Sequence, residues 1–116
     1  MSVDCIFCRI ASGEIAANVV GRSDKAIAFR DLNPQAPIHV LVIPTEHVVS
    51  AAHLADGDRA PVLAEITRLA VEVAQQLGLA ESGYRLVINT GADGGQSVDH
   101  LHVHLLGGRR MTWPPG

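Results

Sequence analysis

The sequence His100-Leu101-His102-Val103-His104 places three histidines at alternate positions of one short segment. In an extended strand, alternate side chains point to the same face, so the histidines would form a row with a spacing of roughly 6.6 Å. Leu101, Val103 and Leu105 would then face a core on the other side. Imidazoles suit nucleophilic and proton-transfer chemistry near neutral pH, so the row favours an active site. A purely metal-binding row, or histidines scattered on a solvated sheet, are the alternatives.

Hydrophobic periodicity and turn residues divide the rest of the chain into short strands and two helices. Apolar residues at steps of three and four predict a long helix over residues 56–77, which Asp56 or Asp58 would cap and Gly78 would end. Five strands with links short enough for antiparallel pairing then predict an α+β domain. We predict strands at residues 19–22, 26–30, 39–43, 84–89 and 102–106, a short N-terminal helix at 5–11, loops at 31–37 and 90–97, and an irregular tail from Trp113.

Length and composition limit the class of protein. A chain of 116 residues with 47% hydrophobic and 18% charged residues predicts a single globular domain over residues 1–116. The net charge of -3 and the absence of a basic run longer than Arg109-Arg110 argue against nucleic-acid binding. No apolar run of about 18 residues and no signal-peptide pattern are found, so we expect a cytoplasmic protein without a membrane span.

A glycine-rich segment precedes the histidine row. Residues 89–97 contain three glycines, whose backbone N–H groups can approach an anion closely, and Asn89 and Ser97 add side-chain donors. Glycine-rich turns are common, but this one lies beside three histidines. It therefore predicts a phosphate-binding loop.

Several blocks of the sequence together resemble the histidine triad (HIT) superfamily, and most closely its Hint branch of histidine triad nucleotide-binding proteins. The resemblance covers nearly the whole chain, and the triad with hydrophobic spacers is its most specific part. It implies a five-stranded antiparallel sheet with one long and one short N-terminal helix. The blocks are residues 5–10, 31–37, 39–44, 94–97, 100–106 and 113–116.

The resemblance also implies roles for individual residues. His102 matches the nucleophile that attacks the α-phosphorus, His104 a residue that contacts the phosphate and leaving group, and His39 a further histidine with a part in proton relay. Asp31 matches the carboxylate that accepts the ribose hydroxyls. The remaining implied positions are Asn89, Gly95 and Ser97 for phosphate, and Ile6, Phe7, Ile10, Phe29 and Leu32 for the base, although core packing is an equal alternative for Phe7 and Phe29.

A Cys-x-x-Cys pair near the N-terminus is by itself ambiguous between redox, metal-binding and buried thiols. The resemblance implies that Cys5 and Cys8 join His47 and His100 in a structural zinc site. Two thiolates and two imidazoles make a closed tetrahedral site, which would tie the N-terminal helix to the sheet. No cofactor is then needed for the reaction itself.

The expected function is hydrolysis of the P–N bond of purine nucleoside phosphoramidates through a nucleotidyl-histidine intermediate. Dinucleoside polyphosphate hydrolysis is the alternative reaction, and a catalytically weak nucleotide-binding or regulatory module is the alternative without turnover. The resemblance further implies a homodimer with one ten-stranded sheet, with the long helix at the interface. In this dimer the tail around Trp113 would reach toward the partner's active site.

Overall fold

In the computed structural model, which describes residues 4–116, five strands form one antiparallel sheet. The order across the sheet is β1-β2-β3-β5-β4, and every neighbouring pair is antiparallel, so the predicted α+β architecture is confirmed. The strands are β1 (Val19–Arg22), β2 (Ala26–Arg30), β3 (Ile38–Pro44), β4 (Arg85–Val87) and β5 (Val103–Gly107). The helices are α1 (Ile6–Ala11), α2 (Ala60–Gln76) and α3 (Gly91–Gly94), with a 3-10 helix at Ala51–Ala55.

The two faces of the sheet pack against different helices. One face packs against the apolar side of α2, where Val40 and Val42 of β3 meet Val73 and its neighbours. Leu41 and Ile43, which alternate with them, face the opposite side and pack with Phe7 of α1. Strand β3 is therefore buried on both faces, and the period of two places His39 on the side of α1. Within residues 4–116, no helix is long and apolar enough to cross a bilayer.

The long helix begins later than the sequence predicted. Asp56 ends the preceding 3-10 helix, and Arg59 stands at the N-cap of α2 without a side-chain capping bond. The prediction that Asp56 or Asp58 caps the helix was therefore wrong. Pro61 lies in the first turn instead, where its fixed φ suits a helix and its missing N–H has no partner to lose. Gly78 follows the helix with φ +78°, as predicted.

The histidine segment enters the sheet only at its end. Strand β5 starts at Val103, so His100 and His102 lie just before it rather than within it. The alternation of side chains nevertheless holds: Leu101, Val103 and Leu105 are all buried in the layer against α2. The predicted loop 90–97 also contains the single helical turn α3.

Candidate active site and metal centre

A cavity of about 320 Å³ lies on the α1 side of the sheet. Side chains of α1, β2, β3 and β5 line it, so it is the space between the short helix and the strands. Most of the predicted site residues lie on its wall, where apolar side chains and polar groups meet. The predicted residues on this wall are Ile6, Phe7, Ile10, Phe29, Asp31, Leu32, Ser97, His102 and His104.

Four of the predicted catalytic and substrate-binding residues do not lie on the cavity wall. His39 is buried behind it, and Asn89 and Gly95 belong to the neighbouring segment that carries α3. Trp113 is 81% exposed, and its ring lies 6.0 Å from the guanidinium carbon of Arg85. The structure therefore brings together the base-pocket residues and two histidines, but not the whole predicted phosphate loop.

The cavity wall also contains residues that the sequence did not indicate. Leu41 is the cross-strand partner of His104, so its position on the cavity wall depends on the register of β3 and β5. The segment between α1 and β1 carries no motif and gave no signal. The added residues are Ile15, Ala16, Ala17, Asn18, Arg30, Leu41 and Val98.

The ring of His102 is held in one tautomer by the main chain. Its Nδ1 lies 2.7 Å from the carbonyl oxygen of His100, so Nδ1–H donates and Nε2 keeps its lone pair. The edge of Phe7 packs against the ring at a centroid distance of 5.2 Å. In its neutral form His102 thus presents the lone pair of Nε2 in a fixed orientation on the cavity wall.

His39 and His104 are hydrogen-bonded to each other across β3 and β5. The Nε2 of His39 lies 2.9 Å from the Nδ1 of His104, and Asp31 Oδ2 is 3.4 Å from the same Nε2. The main-chain N–H of Gln35 donates to the Nδ1 of His39 at 3.0 Å. The ring centroids of His102 and His104 are 4.9 Å apart, which connects this pair to His102.

Burial keeps the imidazoles of His39 and His104 neutral. Burial is the largest of the effects that lower the pKa of His104 to about 4; the neighbouring His102 and His39 also lower it, and Asp31 acts in the opposite direction. Burial also lowers the pKa of His39, with Asp31 again acting in the opposite direction. Both rings can therefore accept as well as donate hydrogen bonds at neutral pH.

Asp31, His39 and His104 also have the donor types of a metal site, with ligand atoms within 4.8 Å of one another. A metal at His39 Nε2 would move the ring proton to Nδ1, where it would face the Gln35 N–H 3.0 Å away. Two donors in that position repel each other. The hydrogen bonds therefore favour a network of neutral histidines over a metal site.

A second group of potential ligands contains Cys5, Cys8, His47 and His100, whose ligand atoms also lie within 4.8 Å of one another. The Sγ atoms of Cys5 and Cys8 each lie 3.2 Å from a histidine Nδ1, of His100 and His47 respectively. Sulfur and nitrogen ligands on one tetrahedral zinc ion are separated by about 3.6 Å, so the group needs only small shifts to bind one.

The second nitrogen of His100 supports this assignment. Its Nε2 lies 2.9 Å from the carbonyl oxygen of Pro44, so Nε2–H donates and Nδ1 presents its lone pair to the two thiols. Metal-bound histidines are usually oriented by such a bond. Burial lowers the pKa of His100 to about 4, which also keeps the ring in the neutral form that binds metals. The four residues therefore fit a zinc ion by donor type, spacing and orientation.

The glycine-rich segment is held in place by Gln96. The side-chain amide nitrogen of Gln96 donates to the carbonyl oxygens of Val49 and Val98 at 2.7 and 3.0 Å, and its Oε1 accepts from the N–H of Gly91 at 2.9 Å. Gly95 adopts φ +79°, a backbone conformation that residues with a side chain rarely adopt. These contacts fix the segment that delivers Ser97 to the cavity.

The sequence pattern of the HIT domain family matches residues 12–111 of this chain. The chain belongs to the HIT family. The chain is 49% identical over 112 residues to a 14 kDa zinc-binding protein of Zea mays (96% of this chain, 87% of the relative). It is 48% identical over 112 residues to the adenylylsulfatase HINT1 of Arabidopsis thaliana (96% of this chain, 76% of the relative).

The fold also matches solved structures of HIT proteins. A HIT family hydrolase from Legionella pneumophila superposes with a TM-score of 0.93 at 52% identity, covering 97% of this chain and 100% of that one. The predicted family and its Hint-like relatives are thus confirmed, and the relatives support a hydrolase.

Proposed function

We propose that this HIT protein hydrolyses the P–N bond of purine nucleoside phosphoramidates and releases the nucleoside monophosphate. The observation that carries the proposal is the fixed tautomer of His102, whose Nδ1 is bonded to the carbonyl oxygen of His100. An unprotonated Nε2 held in a cavity is what a histidine nucleophile requires.

The reaction proceeds in two displacements. The Nε2 of His102 bonds to the α-phosphorus, the P–N bond breaks, and the amine leaves with the bonding electrons and takes up a proton from solvent water. A second water then attacks the phosphorus and returns a proton to solvent, the bond to His102 breaks, and the nucleoside monophosphate departs. During the first step the imidazole becomes positively charged, and the carbonyl oxygen at 2.7 Å from Nδ1 stabilises that charge.

The cavity supports binding of a nucleoside next to this nucleophile. Phe7, Ile10 and Phe29 provide apolar surface that suits a purine base, and Asp31 offers a carboxylate to the ribose hydroxyls. Ser97 lies on the same wall and suits a phosphate oxygen. Asn89 and Gly95 complete the phosphate site in this proposal, after a small adjustment of the segment around α3.

A second candidate reaction is cleavage of adenylyl sulfate, because the Arabidopsis thaliana relative is named an adenylylsulfatase. In both substrates the leaving group is bonded to the adenylyl phosphorus, so the same nucleophile can attack either one. Dinucleoside polyphosphates are the third substrate class to compare.

Zinc in the Cys5, Cys8, His47 and His100 group completes the proposal, and its part is structural. The ion would link α1 to the segments that carry His47 and His100, and so hold one wall of the cavity. Because Cys5 and Cys8 form no disulfide among the described residues and zinc binding needs reduced cysteines, we place the protein in the cytoplasm.

We further propose a homodimer whose two sheets join at strand β4. Strand β4 is at the end of the sheet order, and its residues are only half-buried. Unpaired strand edges favour pairing with another copy. Arg85 of this strand bonds to the carbonyl oxygen of Thr112, which places the tail with Trp113 beside the same edge. Light scattering that finds only a monomer at micromolar concentration would refute the dimer.

The proposed reaction is tested with a fluorogenic adenosine phosphoramidate. Wild type should turn it over, and His102→Ala should bind AMP but lose turnover to background. His53→Ala, which removes a histidine outside the cavity, is the matched control and should behave as wild type. Parallel assays with adenylyl sulfate and diadenosine polyphosphates rank the three substrate classes. Turnover that survives in His102→Ala would refute the nucleophile.

A further inference from the structure

The hydrogen bonds around His39 restrict this ring to one protonation state. Its Nδ1 accepts from the main-chain N–H of Gln35 at 3.0 Å, so Nδ1 cannot carry a proton without placing two donors face to face. The neutral ring then has its proton on Nε2. That nitrogen lies 2.9 Å from His104 Nδ1, so the N–H of His39 donates to His104.

The same constraint passes to His104. Because its Nδ1 accepts from His39, a neutral His104 carries its proton on Nε2. His104 lines the cavity, whereas His39 is 5% exposed and lies behind the wall. His104 therefore offers an N–H donor, and His102 beside it offers a lone pair.

We propose that His39 is a positioning residue, which fixes His104 as an N–H donor through the main-chain amide of Gln35, and that it passes no proton itself. This assigns opposite parts to the neighbouring His102 and His104, and it replaces the part in proton relay that the family resemblance implies for His39. A relay would require His39 to take up a proton at Nδ1, where the Gln35 N–H already points. The inference about tautomers needs no substrate, while its kinetic consequence rests on the proposed function.

The carboxylate of Asp31 does not alter this assignment. Its Oδ2 is 3.4 Å from His39 Nε2, farther than the His104 nitrogen, and its Oδ1 accepts from the N–H of Asn33 at 2.8 Å. Asp31 is an acceptor as well, so it also favours a proton on Nε2 of His39. Both neighbours of that nitrogen thus require the same tautomer.

The first test reads the tautomers directly, by two-bond ¹⁵N–¹H correlation spectra of histidine-labelled protein at neutral pH. We expect His39 and His104 to be protonated at Nε2 and His102 at Nδ1. Gln35→Ala keeps the main-chain N–H and should leave the spectrum unchanged. Gln35→Pro removes that N–H and should give a mixture of tautomers at His39. A proton on Nδ1 of His104 in wild type would overturn the proposal.

The second test separates positioning from relay by kinetics. His39→Gln provides an amide N–H close to the position of Nε2 but cannot relay a proton, whereas His39→Leu provides no donor. We expect His39→Leu to lower kcat with an adenosine phosphoramidate by about 10-fold to 100-fold, because His104 loses its fixed tautomer. His39→Gln should recover most of that loss, and KM should change little in both.

The outcomes are distinguishable. Equal loss in His39→Gln and His39→Leu, with unchanged thermal stability and zinc content, would support a relay and overturn the proposal. If wild type turns over no phosphoramidate, the proposed function fails, but the ¹⁵N spectra still decide whether His39 fixes His104.

Discussion

Acidification should destabilise this protein through His104. Burial lowers the pKa of His104 from 6.5 to about 4 in the folded state, whereas the unfolded chain keeps the ordinary value. The folded state therefore disfavours the protonated ring. The contribution of His104 to stability is complete above pH 6.5 and is lost as the pH falls from 6.5 towards 4.

The magnitude follows from the difference between the two pKa values. At about 1.4 kcal/mol for each unit of pKa, the change from 6.5 to about 4 corresponds to an upper limit of about 3.5 kcal/mol. Because His104 is only half-buried, solvent screens part of this effect, and we expect about 1.5 kcal/mol by pH 4.5.

The assay is urea denaturation of wild type and His104→Asn at pH 7.5 and 4.5 with added zinc. Asparagine keeps an acceptor near the position of Nδ1 for His39 but cannot be protonated. Wild type should lose about 1.5 kcal/mol more than His104→Asn over this range. Comparing the two proteins cancels the acid sensitivity of the cysteine and histidine ligands. An equal loss in both would refute the argument that burial holds His104 neutral.

Three further predictions concern the metal group, the cavity wall and the glycine-rich segment. Cys5→Ser should lose bound zinc and lower the Tm while AMP binding is less affected; unchanged zinc by elemental analysis would exclude this ligand. Phe7→Ala removes a buried ring that contacts Phe29 and His102, and should cost about 3 kcal/mol of stability and weaken AMP binding in calorimetry. Gln96→Met removes three hydrogen bonds and should raise the hydrogen-exchange rate of the Gly91 amide, while an unchanged rate would show that Gln96 does not hold the segment.

Local patterns in the sequence were enough to predict the parts of the fold that depend on periodicity. Strands β1 and β2 have the predicted bounds, and Leu101, Val103 and Leu105 face the core as a period of two requires. The metal group was expected only from the resemblance to the HIT superfamily, because the Cys-x-x-Cys pair by itself is ambiguous.

Features that depend on strand register or on the main chain were not predictable in this way. The bond between His39 and His104 requires Leu41 to pair with His104, and residues so far apart in sequence do not encode that register locally. The donor that fixes His39 is a main-chain N–H, so the identity of residue 35 gives no sign of it. The late start of α2 was also not predictable from periodicity, because Asp56 belongs to the end of the preceding 3-10 helix and cannot also cap α2.

A single residue, His100, serves both groups through different atoms. Its imidazole faces the two thiols, and its carbonyl oxygen holds the ring of His102. A point mutation can replace the imidazole, but it leaves the carbonyl oxygen in the chain. A substitution can therefore remove the imidazole without the carbonyl oxygen, but no substitution removes the carbonyl oxygen alone. A substitution of His100 would therefore remove its imidazole from the proposed metal group and leave in the chain the carbonyl oxygen that orients His102.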